Sequence, residues 1–145
     1  MSLNLPDPVA LDANCFIYLL ESPQSRRGSA IISDLRSVPG KTRFTSALTI
    51  SELLTRPFAE HGRDYAMGLL ERFLGLPGIN VIAVDAAVAT LAGELRAQTR
   101  LKLPDAIHVA TAITAGAEAF LTNDAGLARA ELPIPVLRLD DLLGA

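Results

Sequence analysis

Four acidic residues stand at comparable places along the chain and could together bind a metal ion. Asp12 follows the apolar run "PVAL", Glu52 lies in "ISELL", Asp105 lies in "LPDAIHVATA" and Asp124 ends "AFLTND". Carboxylates gathered at one place repel one another unless a cation lies between them. Carboxylate oxygens suit Mg²⁺ or Mn²⁺ better than the softer metals that Cys and His favour. The residue types therefore predict a hard-cation site, provided that the fold brings the four side chains together.

Each acid also has a simpler explanation when it is taken alone. Asp105 could be an acid favoured by the dipole at a helix start, and Asp124 in "TND" is a natural turn residue. Glu52 could be an ordinary solvated helix residue, and Asp12 could cap the helix that follows it. The metal-site hypothesis therefore depends on all four acids sharing one location.

The apolar pattern predicts strands that alternate with helices. Strands are predicted over 8–12, 42–47, 79–85, 118–124 and 134–139, and helices over 14–22, 25–37, 48–58, 63–76, 86–100 and 103–116, with "VPG" (38–40) ending the second helix. This alternation is typical of a parallel sheet covered by helices on both faces. In such sheets ligands bind beyond the carboxyl ends of the strands, which is where the four acids are expected.

Length and composition indicate one globular domain over residues 1–145. Half of the 145 residues are hydrophobic and the mean hydropathy is +0.32, which is unlike a disordered chain. No apolar run approaches the ~20 residues that a membrane span needs, and the N-terminus does not resemble an export signal. The single cysteine, Cys15, cannot form a disulfide within the chain. We expect a cytoplasmic protein.

Four sequence blocks carry a resemblance to a known family. The blocks "LDANCFIYLL", "TSALTISELL", "LPDAIHVATA" and "FLTND" occur in the order and approximate spacing of PIN domains. The chain closely resembles the single-domain PIN proteins that act as VapC-type toxins of toxin–antitoxin pairs. The resemblance extends from Val9 to about Leu139, and all four acidic positions of the family are filled.

The resemblance implies a fold and a chemistry. The fold would be a Rossmann-like α/β/α sandwich with a central, mainly parallel sheet. The activity would be metal-dependent cleavage of RNA, with one or two Mg²⁺ or Mn²⁺ ions and a site built from Asp12, Glu52, Asp105 and Asp124. Glu52 could bind the metal directly or orient a water molecule.

Other polar residues near the four acids receive supporting roles. Asn14, Thr122 and Asn123 could hydrogen-bond the carboxylates or the phosphate. His108 lies one helical turn after Asp105, and we interpret it as a buried, hydrogen-bonded residue rather than as a general base. Cys15 has no partner base in the sequence and is interpreted as a packing residue.

The charge distribution is compatible with an RNA substrate. The net charge is −3, but residues 26–72 carry eight Lys/Arg against five Asp/Glu, and the rest carries five against eleven. Without the four site acids the chain would be +1. Candidate phosphate contacts in the basic segment are Arg26, Arg27, Lys41 and Arg43, although each could be plain solvated charge.

The resemblance also implies protein partners. A small antitoxin would bind and block the site, and toxins of this type commonly form homodimers. An apolar set on neighbouring helices could supply dimer contacts, or could simply belong to the core: Leu53, Leu54, Phe58, Tyr65, Leu69 and Phe73.

Three alternative functions stay open from the sequence. A PIN nuclease could act in RNA processing outside a toxin pair, with the same site. The chain could also be an inactive binding module on the PIN fold, although retention of all four acids argues against this. A phosphotransferase would favour a D-x-D pattern after the first strand, and here position 14 is Asn.

Overall fold

A computed structural model describes residues 3–37 and 40–144 of the chain. These residues form five strands, which are β1 (Val9–Leu11), β2 (Arg43–Ser46), β3 (Ile79–Ile82), β4 (Ala119–Thr122) and β5 (Val136–Arg138). The helices of the same residues are α1 (Ala13–Glu21), α2 (Arg26–Ser37), α3 (Leu48–His61), α4 (Arg63–Leu74), α5 (Ala86–Thr99), α6 (Leu103–Thr114), α7 (Ala125–Arg129) and α8 (Leu139–Leu142). Each predicted strand is present with slightly shorter bounds.

The five strands form one parallel sheet in the order β3-β2-β1-β4-β5. The chain builds outward from β1 through β2 to β3, and then crosses back to add β4 and β5 on the other side of β1. The direction of winding therefore reverses between β1 and β4. In open parallel sheets this switch point is where a crevice forms beyond the strand ends.

Helices cover both faces of the sheet, as predicted. Val9 and Leu11 of β1 face a core that α1, α2, α3 and α4 complete, while Ala10 faces a second core formed with α5, α6 and α7. Alternate strand residues point to opposite faces, so each strand contributes to both cores. The observed architecture is the α/β/α sandwich that the sequence predicted.

Three local features differ from the sequence-based prediction. Helix α3 continues through Pro57 to His61 instead of ending near Phe58, and burial of Pro57 with Leu53 and Leu54 offsets the cost of an internal proline. The short helices α7 and α8 were not predicted, because four or five residues are too few for a helical period. Residues 38 and 39 of the predicted "VPG" helix end lie outside the described residues.

A buried ion pair joins α2 to β2 at the end of the sheet opposite to Asp12. Arg43 is 1% exposed and donates from Nε and Nη2 to the two carboxylate oxygens of Asp34, at 2.8 and 3.0 Å. Its Nη1 donates to the carbonyl oxygens of Pro6 and Thr42. Because all of these partners are internal, Arg43 is a structural residue and is not free to contact a phosphate.

None of the helices in residues 3–37 and 40–144 combines the length and the apolar character that crossing a bilayer requires.

Gly28 allows the first two helices to approach each other closely. A Cβ atom at this position would lie 2.2 Å from the carbonyl oxygen of Ser22 and 2.7 Å from that of Tyr18. Both are backbone atoms of α1 or of its end, so they cannot move aside as a flexible side chain would. The contact between α1 and α2 therefore requires glycine.

We expect Gly28→Ala to lower the free energy of unfolding by about 1–3 kcal/mol, because the added methyl group overpacks the helix contact. Gly93→Ala in α5 is the matched control, since nothing lies within 4 Å of the added Cβ. This control should raise the free energy of unfolding by up to about 1 kcal/mol through helix propensity. Urea unfolding of both variants measures the difference, and equal effects would contradict the close approach.

Candidate functional site

Asp12 lies at the carboxyl end of β1, next to the switch point, and is 7% exposed. Its Oδ1 accepts a hydrogen bond from the backbone N–H of Ala13 at 2.8 Å, so it also caps α1. Its Oδ2 accepts from the hydroxyl of Thr122 at 2.8 Å and from Asn14 Nδ2 at 3.4 Å. Burial raises the pKa of Asp12, although nearby His108 and these hydrogen bonds oppose the rise.

The Thr122 hydroxyl connects the two strand ends at the switch point. It donates to Asp12 and accepts from Asn14 Nδ2 at 3.3 Å and from the backbone N–H of Asp124 at 3.1 Å. One buried oxygen thus contacts the end of β1, the start of α1 and the residue that begins α7. Thr122 and Asn14 therefore lie where hydrogen bonding to the carboxylates was predicted.

The side chain of His108 lies between Glu52 and Asp12. Its Oε1 is hydrogen-bonded to Nε2 of His108, which is 2% exposed and lies 3.8 Å from Asp12 Oδ1. Burial disfavours the charged imidazole, but the hydrogen bond with Glu52 and the carboxylates of Asp12, Glu52 and Asp105 outweigh burial and raise the pKa of His108. His108 therefore lies between two of the predicted site acids.

Asp105 lies in the first turn of α6, half-buried, and its carboxylate accepts no hydrogen bond from the described residues. Burial raises its pKa, and the negative charges of Asp12, Asp124 and Glu52 raise it further. The charge of His108 acts in the opposite direction. The fold thus brings all four acids into electrostatic contact around Asp105.

Asp124 caps α7, and its Oδ1 accepts from the backbone N–H of Leu127 at 2.9 Å. Asp12 and Asp124 therefore both cap helices, as the simpler explanation of Asp12 proposed. Each cap uses only part of a carboxylate's four lone-pair sites, about two per oxygen, so capping leaves oxygens able to accept a further ligand.

A divalent cation fits the chemistry of these donors. Four carboxylates share one rim, and the half-buried Asp105 among them has no hydrogen-bond partner in the described part of the chain. In residues 3–37 and 40–144, however, no three acidic, His or Cys side chains are close enough to enclose an ion. Ion binding would therefore require the carboxylates to move closer together.

Asn123 has different surroundings from those expected, whereas Cys15 is buried as a packing residue would be. Asn123 turns its side chain away from the carboxylates, donating to Tyr18 Oη at 3.0 Å and accepting from the backbone N–H of Asp140 at 3.0 Å. Only its backbone N–H faces the site, where it donates to Asn14. Cys15 is fully buried, and burial raises the pKa of its thiol well above the usual value, which fits a packing role.

The predicted phosphate contacts are mostly engaged in structural interactions. Arg27 pairs with Asp140 through two hydrogen bonds of 2.8 and 2.6 Å, and Arg26 donates to the carbonyl of Leu143. Arg43 is buried against Asp34. Lys41 precedes β2, at the end of the sheet away from Asp12. Burial therefore excludes Arg43 as a phosphate contact, whereas the contacts predicted for Arg26, Arg27 and Lys41 stay predictions.

The predicted dimer residues divide between core and surface. Leu53, Leu54, Leu69 and Phe73 are buried in the core, whereas Phe58 is 41% and Tyr65 is 55% exposed. Most of this set is therefore explained by packing within the chain.

The loop after β4 is held by a network of side chains that the sequence pattern does not predict. Arg27 lies over the ring of Tyr18 at 5.0 Å and pairs with Asp140, while Asn123 bridges Tyr18 and Asp140. The pairing of Arg27 with Asp140 holds the pKa of Asp140 at about 2. Arg27 and Asp140 are 113 positions apart, and Tyr18 and Asn123 are 105 apart, so local spacing contains no signal for these two pairings.

We expect Thr122→Val to lower the free energy of unfolding by about 1–3 kcal/mol, because it leaves buried polar partners unsatisfied. Thr90→Val is the matched control, since the Thr90 hydroxyl is exposed and bonds only to the preceding turn of α5. The control should change stability by less than about 0.5 kcal/mol. Chemical denaturation of both variants is the measurement, and a Thr122 effect as small as the control's would show that the hydroxyl is dispensable.

Comparison with known proteins identifies the family. The PIN domain model matches residues 9–132 of the chain. A toxin–antitoxin complex from Klebsiella pneumoniae is 25% identical, with a TM-score of 0.63, covering 90% of this chain and 97% of that one. VapBC2 from Rickettsia felis, bound to a promoter DNA fragment, is 17% identical with a TM-score of 0.70, covering 95% and 98%.

A third similar structure carries a stated activity. VapC20 from Mycobacterium tuberculosis, a toxin that cleaves the sarcin–ricin loop, is 18% identical with a TM-score of 0.62, covering 83% of this chain and 92% of that one. Comparison with curated protein sequences gave no match. The family model spans most of the chain and the fold agrees with it, so the protein belongs to the PIN domain family.

Proposed function

We propose that this protein is a divalent-metal-dependent endoribonuclease that acts as the toxin of a toxin–antitoxin pair. The observation that carries the proposal is the environment of the half-buried Asp105 carboxylate. It has no hydrogen-bond partner among the described residues, and the negative charges of Asp12, Asp124 and Glu52 raise its pKa. A divalent cation bound among these carboxylates would compensate their mutual repulsion. Similarity to the Klebsiella complex and to VapC20 supports RNA as substrate and an antitoxin as partner.

The four acids would have two roles at the site, metal binding and alignment of a water molecule. Asp12, Asp105 and Asp124 would hold one or two Mg²⁺ or Mn²⁺ ions, and Glu52 would bind an ion or align a water molecule. An ion bound there supplies Lewis acidity toward the phosphate and an activated water as nucleophile. Asn14 and Thr122 keep the Asp12 carboxylate in place by hydrogen bonds.

The proposal includes two protein partners. An antitoxin would bind over the site, as the toxin–antitoxin complexes of similar fold suggest. A homodimer would use the exposed side of the α3–α4 pair, where Phe58, Tyr65 and Leu74 are exposed. Among the open alternatives, a processing nuclease would share the site chemistry, whereas an inactive module would not bind metal.

Two cations that closely precede Asp105 in the chain are exposed and unpaired within the described residues, which makes them candidates for contact with RNA. Lys102 is the residue before α6, and its carbonyl accepts from the N–H of Ala106 at 2.9 Å. Arg100 ends α5 with a left-handed backbone, φ 62°. Both side chains are exposed and form no hydrogen bond or ion pair within the described ranges. We therefore assign the phosphate contacts to Arg100 and Lys102.

We expect the wild type to bind Mn²⁺ and to cleave RNA, and expect Asp12→Asn and Asp105→Asn to weaken Mn²⁺ binding by more than about tenfold, or about 1.4 kcal/mol. Cleavage should fall by about a hundredfold or more, which corresponds to about 2.7 kcal/mol of transition-state stabilisation. Asp64→Asn, on the exposed start of α4, is the charge-matched control. Calorimetry and a gel assay with a labelled RNA report both effects.

A folded wild type that binds neither Mn²⁺ nor Mg²⁺ and leaves RNA intact would contradict the nuclease proposal and favour an inactive binding module. Removal of bound ions with EDTA should likewise abolish cleavage, and added Mn²⁺ should restore it. Cleavage that persists in excess EDTA would contradict the metal requirement.

Neutralising the two cations should weaken RNA binding without changing metal affinity. We expect Arg100→Gln and Lys102→Gln, each in the non-cleaving Asp12→Asn background, to reduce the slope of log affinity against log salt by about 1 per lost phosphate contact. Lys41→Gln is the control, because Lys41 lies at the opposite end of the sheet. Fluorescence titration with a short labelled RNA is the measurement, and an unchanged slope in both variants would refute the assignment.

A further inference from the structure

His108 places one ring N–H between two carboxylates at the rim of the sheet. It lies on α6, one turn after Asp105, and its side chain is 2% exposed. Its Nε2 is hydrogen-bonded to Glu52 of α3 and lies 3.8 Å from Oδ1 of Asp12. The imidazole therefore links a helix on one face of the sheet to a helix on the other, at the level of the four acids.

Packing alone does not explain a histidine at this position. Its neighbours on α6 (Ala106, Val109 and Ala110) are fully buried and apolar. A buried imidazole normally has partners for both nitrogens, yet Nδ1 of His108 has none among the described residues. An apolar residue of similar size would avoid the cost of that unsatisfied atom. The bond from Nε2 to Glu52 is what distinguishes histidine here.

Glu52 depends on this bond for its position. Its side chain is 36% exposed, and within the described residues its carboxylate has no other hydrogen-bond partner. A long, partly exposed Glu side chain samples several rotamers in water, and ordering it costs conformational entropy. Without His108, the Glu52 carboxylate would therefore spend much of its time away from Asp12.

We propose that His108 is a positioning residue that holds Glu52 beside Asp12 and thereby sets the affinity of the four acids for a divalent cation. This inference rests on the proposed metal-dependent function. The role requires an N–H on Nε2, which donates to the Glu52 carboxylate. It assigns to His108 no contact with the substrate and no transfer of a proton in the reaction.

The test compares two replacements of His108 in the 145-residue chain. His108→Leu removes the N–H donor, whereas His108→Gln keeps an amide N–H at a similar reach. We expect His108→Leu to weaken Mn²⁺ binding by about 10- to 100-fold, the range typical of residues that orient metal ligands. His108→Gln should recover most of that affinity. Calorimetry with Mn²⁺ alone is the first readout, and kcat and KM for RNA are the second, with the loss expected in kcat.

Repeating the His108 replacement in a Glu52→Gln variant distinguishes an effect through Glu52 from a general effect on packing. Glu52→Gln is combined with His108→Leu, and Mn²⁺ affinity is compared across the four proteins. If His108 acts through Glu52, His108→Leu should weaken binding far less in the Glu52→Gln background than in the wild type. If His108→Leu does not fold, His108→Phe, a ring of similar size without an N–H donor, replaces it throughout.

Two results would overturn the inference. One is a folded His108→Leu protein with the Mn²⁺ affinity of the wild type, and the other is an equal loss of affinity in both Glu52 backgrounds. A wild type that binds Mn²⁺ but cleaves no RNA would overturn the ribonuclease proposal alone, because the affinity comparison would still decide the role of His108. A wild type without metal affinity would overturn both proposals.

Discussion

Asp12 follows the apolar strand β1 and is buried, so its carboxylate needs hydrogen bonds from residues of neighbouring elements. Burying an ionised carboxylate is costly unless it is hydrogen-bonded. The hydroxyl of Thr122 supplies one bond from β4, and Asn14 and the N–H of Ala13 supply others from α1. This requirement ties the end of β1 to the end of β4 at the point where the sheet changes direction. The connection also reaches Asp124, whose backbone N–H donates to the same Thr122 hydroxyl.

The two ends of the sheet differ in whether their buried or half-buried charged side chains are paired. At the amino ends of the strands, Arg43 is buried and paired with Asp34, so a cation is balanced within the fold. At the carboxyl ends, Asp105 is surrounded by acids and lacks a hydrogen-bond partner in the described residues. Removing one member of a buried pair typically costs about 3–5 kcal/mol, so the Arg43 end is fixed by structure. At the carboxyl end, no Lys or Arg side chain of the described residues forms an ion pair with the four acids, and there we propose that a cation balances their charge.

The loop that carries Asp124 is held from outside the rim. Asn123 bonds to Tyr18 and to the backbone of Asp140, and Arg27 pairs with Asp140 while lying over Tyr18. Helices α1, α2 and α8 thus converge on the residue immediately before Asp124. Asp12 and Asp124 are each held by hydrogen bonds to the backbone of the helix that follows, whereas the described hydrogen bond of the Glu52 carboxylate is the one to His108.

The sequence by itself predicted the five strands, the six longer helices and the parallel sheet, and it led to the expectation that Asp12, Glu52, Asp105 and Asp124 lie beyond the strand ends. These follow from apolar periodicity and from the rule that ligands bind beyond strand ends. Only the tertiary structure decided which polar groups meet. It buried Arg43, turned Asn123 away from the site and joined His108 to Glu52, 56 positions away. Such contacts depend on how distant elements pack, and local spacing contains no record of that packing.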